Sequence, residues 1–362
     1  MPSSLPKLLI IPAFIALLVA AWAGLVRIGW TLPPLAVAEH GSLMISGFLG
    51  TLISLERAVA LALVSRRGRW AYAVPLLAGL GTIGLMIGLP RTISLGLITA
   101  ASAGMLVMFL IMLRRHAVLH SYVMALGAAC WLIGNLQWLG GQPIFRISEW
   151  WVAFLVLTIA GERLELSRIM RPPPLSRWLF AGLLALYGVG LVLYTAQIAI
   201  GTTLIGLALI GLGLWLFRYD VARRTVRQKG LTRFIASALL AGYAWLLVGG
   251  LLRLVYGPQI AGPIYDAEMH TVLIGFVFSM IFGHAPIILP AVIGVQVIYR
   301  PAFYVPLVLL HGALVLRLIG DLTMNMPLRQ WGGLFNVVAI LLYFGMVAAG
   351  AILAKLRGKP AS

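Results

Sequence analysis

The chain has 362 residues, of which 62% are hydrophobic and only 10% are charged. A water-soluble domain carries roughly 25% charged residues, so this chain has too little polar surface to face water on all sides. Its 27 Lys and Arg residues outnumber its 9 Asp and Glu residues, and in a membrane protein such an excess reports the orientation of loops, not a nucleic-acid partner. The single cysteine, Cys130, excludes an intrachain disulfide, a cysteine-based zinc or iron–sulfur site and a CxxCH haem attachment.

Apolar runs recur along the chain, separated by short stretches of Pro, Gly and charged residues. About 20 apolar residues are enough for a helix to cross the hydrocarbon layer. The sequence therefore predicts an all-α transmembrane bundle of about 12 spans that forms one integral membrane domain over residues 1–362. In chain order the predicted spans are 8–30, 36–64, 70–89, 92–113, 119–139, 149–167, 176–197, 200–217, 231–256, 266–289, 303–320 and 332–354.

Basic residues are distributed unevenly over the predicted loops. With the N-terminus inside, six of them fall on the outer side and Arg57 lies within the second span, which leaves twenty of the 27 on the cytoplasmic side. Because Lys and Arg collect in cytoplasmic loops, this distribution predicts that both termini are cytoplasmic and that the protein crosses the bacterial inner membrane many times. The six outer residues are Arg27, Arg91, Arg146, Arg253, Arg317 and Arg329.

Ionisable side chains inside the spans are candidates for function, because each costs about 2.5–3.5 kcal/mol to insert into a membrane. The predicted loops are short, so any chemistry must take place within the bundle or at its two mouths. Such residues occur on spans two, six, ten and eleven, and they are Glu39, His40, Glu56, Arg57, Glu162, Arg163, Glu165, Asp266, Glu268, His270, His284, His311, Arg317 and Asp321.

The spacing of His270 and His284 predicts two rings on one helix face. Fourteen residues in an α-helix make almost four turns and about 21 Å of rise, so the rings would point the same way at opposite depths. One helix can ligate two stacked haems at this spacing, since neutral imidazole is an axial ligand of haem. Two structural histidines near the helix ends remain the alternative.

His40 is the predicted partner of His270 in an outer metal or haem site. Both histidines are expected near the outer ends of their helices, and each has an acidic neighbour, Glu39 or Glu268, which is equally suited to a helix N-terminus. In both helices a Gly-Phe step follows, where the missing side chain allows close approach of a macrocycle or a neighbouring helix; these steps are Gly47-Phe48 and Gly275-Phe276.

Deeper in the predicted bundle, His284 and His311 can share one metal or serve two. Arg57 is suited to anchoring haem propionates. Glu56 and Glu162, each followed by an arginine, can form part of a proton route or can simply neutralise the arginines across helices.

Three stretches resemble the NnrS family of haem- and copper-containing polytopic membrane proteins linked to nitric oxide. Residues 40–48 resemble its HxHEMxxGF motif, with Ser42 and Leu43 where the family has the second histidine and the glutamate. Residues 242–246 resemble its GYAWL segment, and residues 270–275 its HALTVG segment. The resemblance implies haem b as cofactor, with His40 and His270 as ligands, copper as a further metal, and nitric oxide as a small gaseous ligand.

The residues and the resemblance together predict a haem-binding membrane protein of nitric oxide metabolism or defence, or of respiratory electron transfer. An oxidoreductase activity on nitric oxide is one form of this prediction. A secondary transporter is the alternative from a different class. A third is a membrane subunit that supplies haem ligands or a quinone pocket to a respiratory complex, with a cytochrome or quinol as partner. The lipid bilayer is the predicted surrounding, and nucleic acid is not a predicted partner.

Overall fold

The computed structural model describes residues 5–64, 66–294 and 297–357, and the regular elements in these ranges are helices. This confirms the predicted all-α fold. The two chain ends, which were predicted to be cytoplasmic, lie outside the described residues.

Each of the twelve predicted spans overlaps a helix in the described residues, and the count of twelve crossings stays a prediction. Eleven of the helices in the described ranges are long and apolar enough to cross a membrane, so the chain is a multi-pass membrane protein. The third helix has only 14 residues, about 21 Å of rise, and follows a 3₁₀ turn at Arg66–Tyr72. The helices are α1 (Leu5–Arg27), α2 (Val37–Val64), α3 (Ala73–Met86), α4 (Arg91–Arg115), α5 (Leu119–Leu139), α6 (Ile144–Met170), α7 (Pro174–Ala196), α8 (Ile198–Tyr219), α9 (Gly230–Tyr256), α10 (Gly262–Val292), α11 (Pro301–Leu322) and α12 (Met326–Ala354).

Contacts among the helices divide the described residues into two compact units. The first unit contains the chain up to Gly161 together with 291–294, and the second contains 162–290 and the chain from 297 onward. The first is built from α1 to α5 and most of α6. The second is built from α7 to α9, most of α10, α11 and α12.

Each unit contains one π-helical segment of eight residues, Leu43–Gly50 within α2 and Thr271–Phe278 within α10. A π-helix closes its hydrogen bonds one residue later than an α-helix, is rare, and is frequent at functional sites. The Gly-Phe step occupies the fifth and sixth positions of both segments. His40 lies three residues before the first segment, and His270 lies directly before the second.

The glycine of each Gly-Phe step allows a close approach between helices. A Cβ atom at Gly47 would lie 2.6 Å from Thr82 Cγ2 on α3 and 2.9 Å from Ala16 Cβ on α1. A Cβ atom at Gly275 would lie 2.5 Å from the Cβ of Trp245 on α9. The close approach predicted from the sequence is therefore made by neighbouring helices of the same unit.

Replacing Gly275 by alanine is expected to destabilise the protein. The added methyl group would overlap Trp245, and overpacking of this kind costs about 1–3 kcal/mol. Gly312→Ala on α11 is the matched control, because a Cβ atom there would meet nothing within 4 Å. In detergent, the thermal unfolding midpoint should fall for Gly275→Ala and should not fall for Gly312→Ala. Equal midpoints for the two variants would contradict the close approach.

Candidate histidine and charged-residue sites

A compact group of charges, which we call the Asp266 cluster, lies at the start of α10 and consists of Asp266, His270, Arg317, Asp321 and Arg329. Arg317 Nε and Nη2 donate to Asp266 Oδ2 and Oδ1, both at 2.9 Å. Arg329 Nε lies 2.7 Å from Asp321 Oδ1, and its Nη2 lies 3.7 Å from Asp266 Oδ2. Two carboxylates and two guanidinium groups from three helices thus balance one another, which is what burial of charge in a membrane requires.

His270 is oriented by the same cluster. Its Nδ1 donates to the backbone carbonyl of Asp266 at 2.8 Å, and the Asp266 carboxylate lies 3.3 Å from the same nitrogen. Because a carbonyl oxygen only accepts, the ring proton is on Nδ1 and the neutral ring carries its lone pair on Nε2. Metal-ligating histidines have this arrangement, in which a carbonyl or carboxylate fixes the tautomer. His270 therefore has the tautomer that an iron ligand at Nε2 requires.

A second group, the Asp220 cluster, consists of Arg163 on α6, Asp220 after α8, and His284 on α10. Arg163 Nε lies 3.0 Å from Asp220 Oδ2, with the two side chains only 3% and 0% exposed. Arg163 Nη1 donates to His284 Nε2 at 3.1 Å, and His284 Nδ1 donates to the carbonyl of Met280 at 2.7 Å. Because one ring nitrogen accepts and the other donates, His284 is neutral and its Nε2 lone pair is used by Arg163.

Burial raises the pKa of the Asp220 carboxyl group above its ordinary value. The Arg163 charge, the Ala222 backbone N–H and the neighbouring Tyr243 hydroxyl oppose this shift. The N–H of Ala222 donates to Asp220 Oδ1 at 2.7 Å, so the carboxylate is held from the backbone side as well.

In the first unit, His40 packs its ring on α1. His40 Nδ1 donates to the carbonyl of Ala20 at 2.7 Å, which again leaves the lone pair of the neutral ring on Nε2. Gly24 makes room for this ring, since a Cβ atom at Gly24 would lie 2.8 Å from His40 Cε1. The neighbouring Glu39 pairs with Arg91 and accepts a hydrogen bond from Ser42 Oγ at 2.8 Å.

His311 has a different environment from the other three candidate histidines. Trp245 Nε1 donates to His311 Nδ1 at 2.9 Å, with the two rings within 16° of parallel. Because the indole nitrogen can only donate, the proton of the neutral His311 ring is on Nε2. Neither nitrogen of this neutral ring offers a lone pair to a metal in the described arrangement.

Among the remaining predicted site residues, Glu56 and Arg57 pair with each other. Arg57 Nη2 lies 3.8 Å from Glu56 Oε1 on the same helix, and its guanidinium lies 5.7 Å from the centre of the Phe109 ring. Glu162 is half-buried. Glu268 is buried, and its backbone carbonyl lies 3.4 Å from Nη1 of the buried Arg253.

Several sequence predictions depend on which side chains the fold brings together. His40 belongs to the first unit, whereas His270, His284 and His311 belong to the second, where each contacts different partners. Among the described residues no group of three or more His, Cys, Asp or Glu side chains is placed to hold a metal ion. Haem and copper stay predictions. The prediction that His270 and His284 lie on one helix face assumed α-helical geometry for all the residues between them. That assumption does not apply, because the π-helical segment Thr271–Phe278 lies between the two histidines.

Sequence reasoning did not single out Asp220, Arg253 or Arg329 as site residues. Asp220 could have been found, because it is the one acidic residue among the basic residues of 218–233. Arg253 and Arg329 were predicted to be outer-side cations, yet Arg253 is 1% exposed and the Arg329 side chain is 14% exposed. A hydropathy pattern does not report such pairing, because it ignores contacts between distant residues.

The fold and these clusters define a multi-pass helical membrane protein with buried or half-buried histidine, arginine and aspartate groups. The chain belongs to the family described as Domain of unknown function (DUF8744), which matches residues 6–352. No curated protein and no solved structure matches the chain.

Replacing Asp220 by asparagine is expected to lower the stability strongly. The substitution leaves the buried Arg163 charge without its carboxylate, and breaking one side of a buried ion pair costs about 3–5 kcal/mol. The double variant Arg163→Gln/Asp220→Asn removes both charges and should recover most of the loss. Thermal unfolding in detergent measures both effects, with the exposed Arg224→Gln as control. An unchanged midpoint for Asp220→Asn, or no recovery in the double variant, would refute the pairing.

Proposed function

We propose that this membrane protein binds b-type haem and that the Nε2 atoms of His40, in the first unit, and of His270, in the second unit, are iron ligands. The observation that carries the proposal is the shared environment of the two rings. Each ring donates its Nδ1 proton to a backbone carbonyl and precedes a π-helical segment with the same Gly-Phe step. The lone pair of each neutral ring is then on Nε2, the atom that a haem iron would take.

The ligand set proposed here does not include His284 or His311. The Nε2 lone pair of His284 accepts a hydrogen bond from Arg163, and Nδ1 of His311 accepts one from Trp245. Both rings therefore use their lone pairs for protein contacts. They are better suited to structural roles in the second unit than to ligation.

The proposed setting is the bacterial inner membrane, with twelve crossings and both termini on the cytoplasmic side. The uneven distribution of basic residues supports this orientation. The nitric oxide role rests on the resemblance of residues 40–48, 242–246 and 270–275 to the NnrS family. With no soluble domain in the described residues, electrons would come from a partner such as a cytochrome or a quinol.

Optical spectroscopy of the purified protein tests the haem proposal. After expression with sufficient haem, the wild-type chain should show a Soret band and, when reduced, the α band of b-type haem. Both bands should be lost in His40→Ala and in His270→Ala. Nitric oxide added to the reduced protein should shift the Soret band.

His311→Gln is the matched control, because a glutamine oxygen can still accept the hydrogen bond of Trp245. This variant is expected to keep both bands at wild-type intensity. A colourless wild-type preparation would end the proposal, and so would retention of the bands in both alanine variants.

Ion-coupled transport is the second candidate function, favoured by the Asp266 cluster. Balanced carboxylates and guanidinium groups beside an irregular helix are suited to proton or ion movement, as at the broken helices of transporters. The Asp321 side chain, 1% exposed, is the carboxylate to replace. In liposomes loaded with a pH-sensitive dye, an imposed proton gradient should dissipate faster with the wild type than with Asp321→Asn. Glu165→Gln, at an exposed carboxylate, serves as control. No flux from the wild type would reject this candidate.

A further inference from the structure

A dense group of exposed cations connects α8 and α9. Six basic residues occur within 16 positions, and all six are exposed. We call this group the cationic collar, and it consists of Arg218, Arg223, Arg224, Arg227, Lys229 and Arg233.

The charge of the collar is not balanced within its own segment. Asp220 is the one acidic residue between 218 and 233, and its side chain is 0% exposed because it faces Arg163. The fold thus turns the acid inward and leaves the six cations outside.

The collar is also held close to the ends of two membrane helices. Ten residues separate the end of α8 at Tyr219 from the start of α9 at Gly230, which is too few for the segment to extend far from the bilayer. A short helix at Ala222–Thr225 lies within it, and the Ala222 side chain is fully buried. The Asp220 cluster holds this helix in place, because the Ala222 N–H donates a hydrogen bond to Asp220 Oδ1.

An aromatic residue of the membrane–water boundary lies beside the collar. Trp215 Nε1 donates to the carbonyl of Ser176 at 2.8 Å, which brings the first turn of α7 next to the end of α8. That turn carries the exposed Arg177 and Trp178, the latter 77% exposed. Exposed tryptophans collect at the headgroup level of a bilayer, so we expect the collar to lie at the height of the lipid phosphates.

We propose that the cationic collar is a binding surface for anionic phospholipid headgroups. Clusters of 4–8 Lys and Arg next to a membrane helix attract anionic lipids, and arginine binds phosphate with two hydrogen bonds. The height of the collar, its unbalanced charge and its attachment through Asp220 favour lipid over a soluble anion. This inference is independent of the haem proposal, because the collar contains none of the proposed ligands.

Lipid titration of the full chain in detergent tests the surface. Short-chain phosphatidylglycerol should raise the thermal unfolding midpoint of the wild type, and short-chain phosphatidylcholine should not. The variant Arg223→Gln/Arg224→Gln should need at least tenfold more phosphatidylglycerol for the same shift. Arg223→Lys/Arg224→Lys keeps the charge, so it should need a smaller increase in phosphatidylglycerol than the glutamine variant.

Arg114→Gln/Arg115→Gln is the matched control, because it removes an adjacent, exposed arginine pair at the end of α4. This control should respond to phosphatidylglycerol like the wild type. If both glutamine double variants needed the same increase in phosphatidylglycerol, the proposal would be overturned, because general surface charge would then explain the response. An equal shift of the wild type with inorganic phosphate would overturn the choice of lipid. If Arg223→Gln/Arg224→Gln fails to fold, Arg227→Gln/Lys229→Gln replaces it. This variant should also need at least tenfold more phosphatidylglycerol for the same shift.

Discussion

Burial of charge without water is the constraint on which the second unit depends. Lipid offers no hydrogen bonds to a guanidinium or carboxylate group, so each buried charge needs a charged or hydrogen-bonding partner within the protein. Arg317 with Asp266, and Arg163 with Asp220, meet this requirement. Apolar helix surfaces pack with many alternative neighbours, whereas such a pair is satisfied by one arrangement. Each pair therefore favours the arrangement of helices that brings its two residues together.

The states of His270 and His284 follow from the same pairs. His270 lies beside a carboxylate and a carbonyl, which place its proton on Nδ1. His284 lies beside a guanidinium group, which uses its Nε2 lone pair. Two histidines on one helix thus have different chemistry because their neighbours differ. The tautomer of His270, and the positions of the cations in the collar, both depend on how the charges are matched below the surface.

The sequence predicted the helices and their breaks closely, since α7 ends at Ala196 and α8 begins at Ile198, close to the predicted break between spans 176–197 and 200–217. It also predicted close approach at Gly275. It did not predict the π-helical segments, because the backbone register changes in response to packing around the helix and the residue types do not mark it. The partner of Arg163 was missed as well, since the acids next to it in sequence are not those next to it in space.

Composition and the length of apolar runs determined, without any coordinates, that this is a helical multi-pass membrane protein. These properties are local, because a helix crosses a bilayer by its own length and hydropathy. The tertiary structure alone decided the partners of the buried charges and the tautomers of the histidines. Arg317 and Asp266 are 51 residues apart in the chain, and Arg163 and His284 are 121 apart. Contacts over such separations arise only when distant helices pack, and no local pattern encodes them.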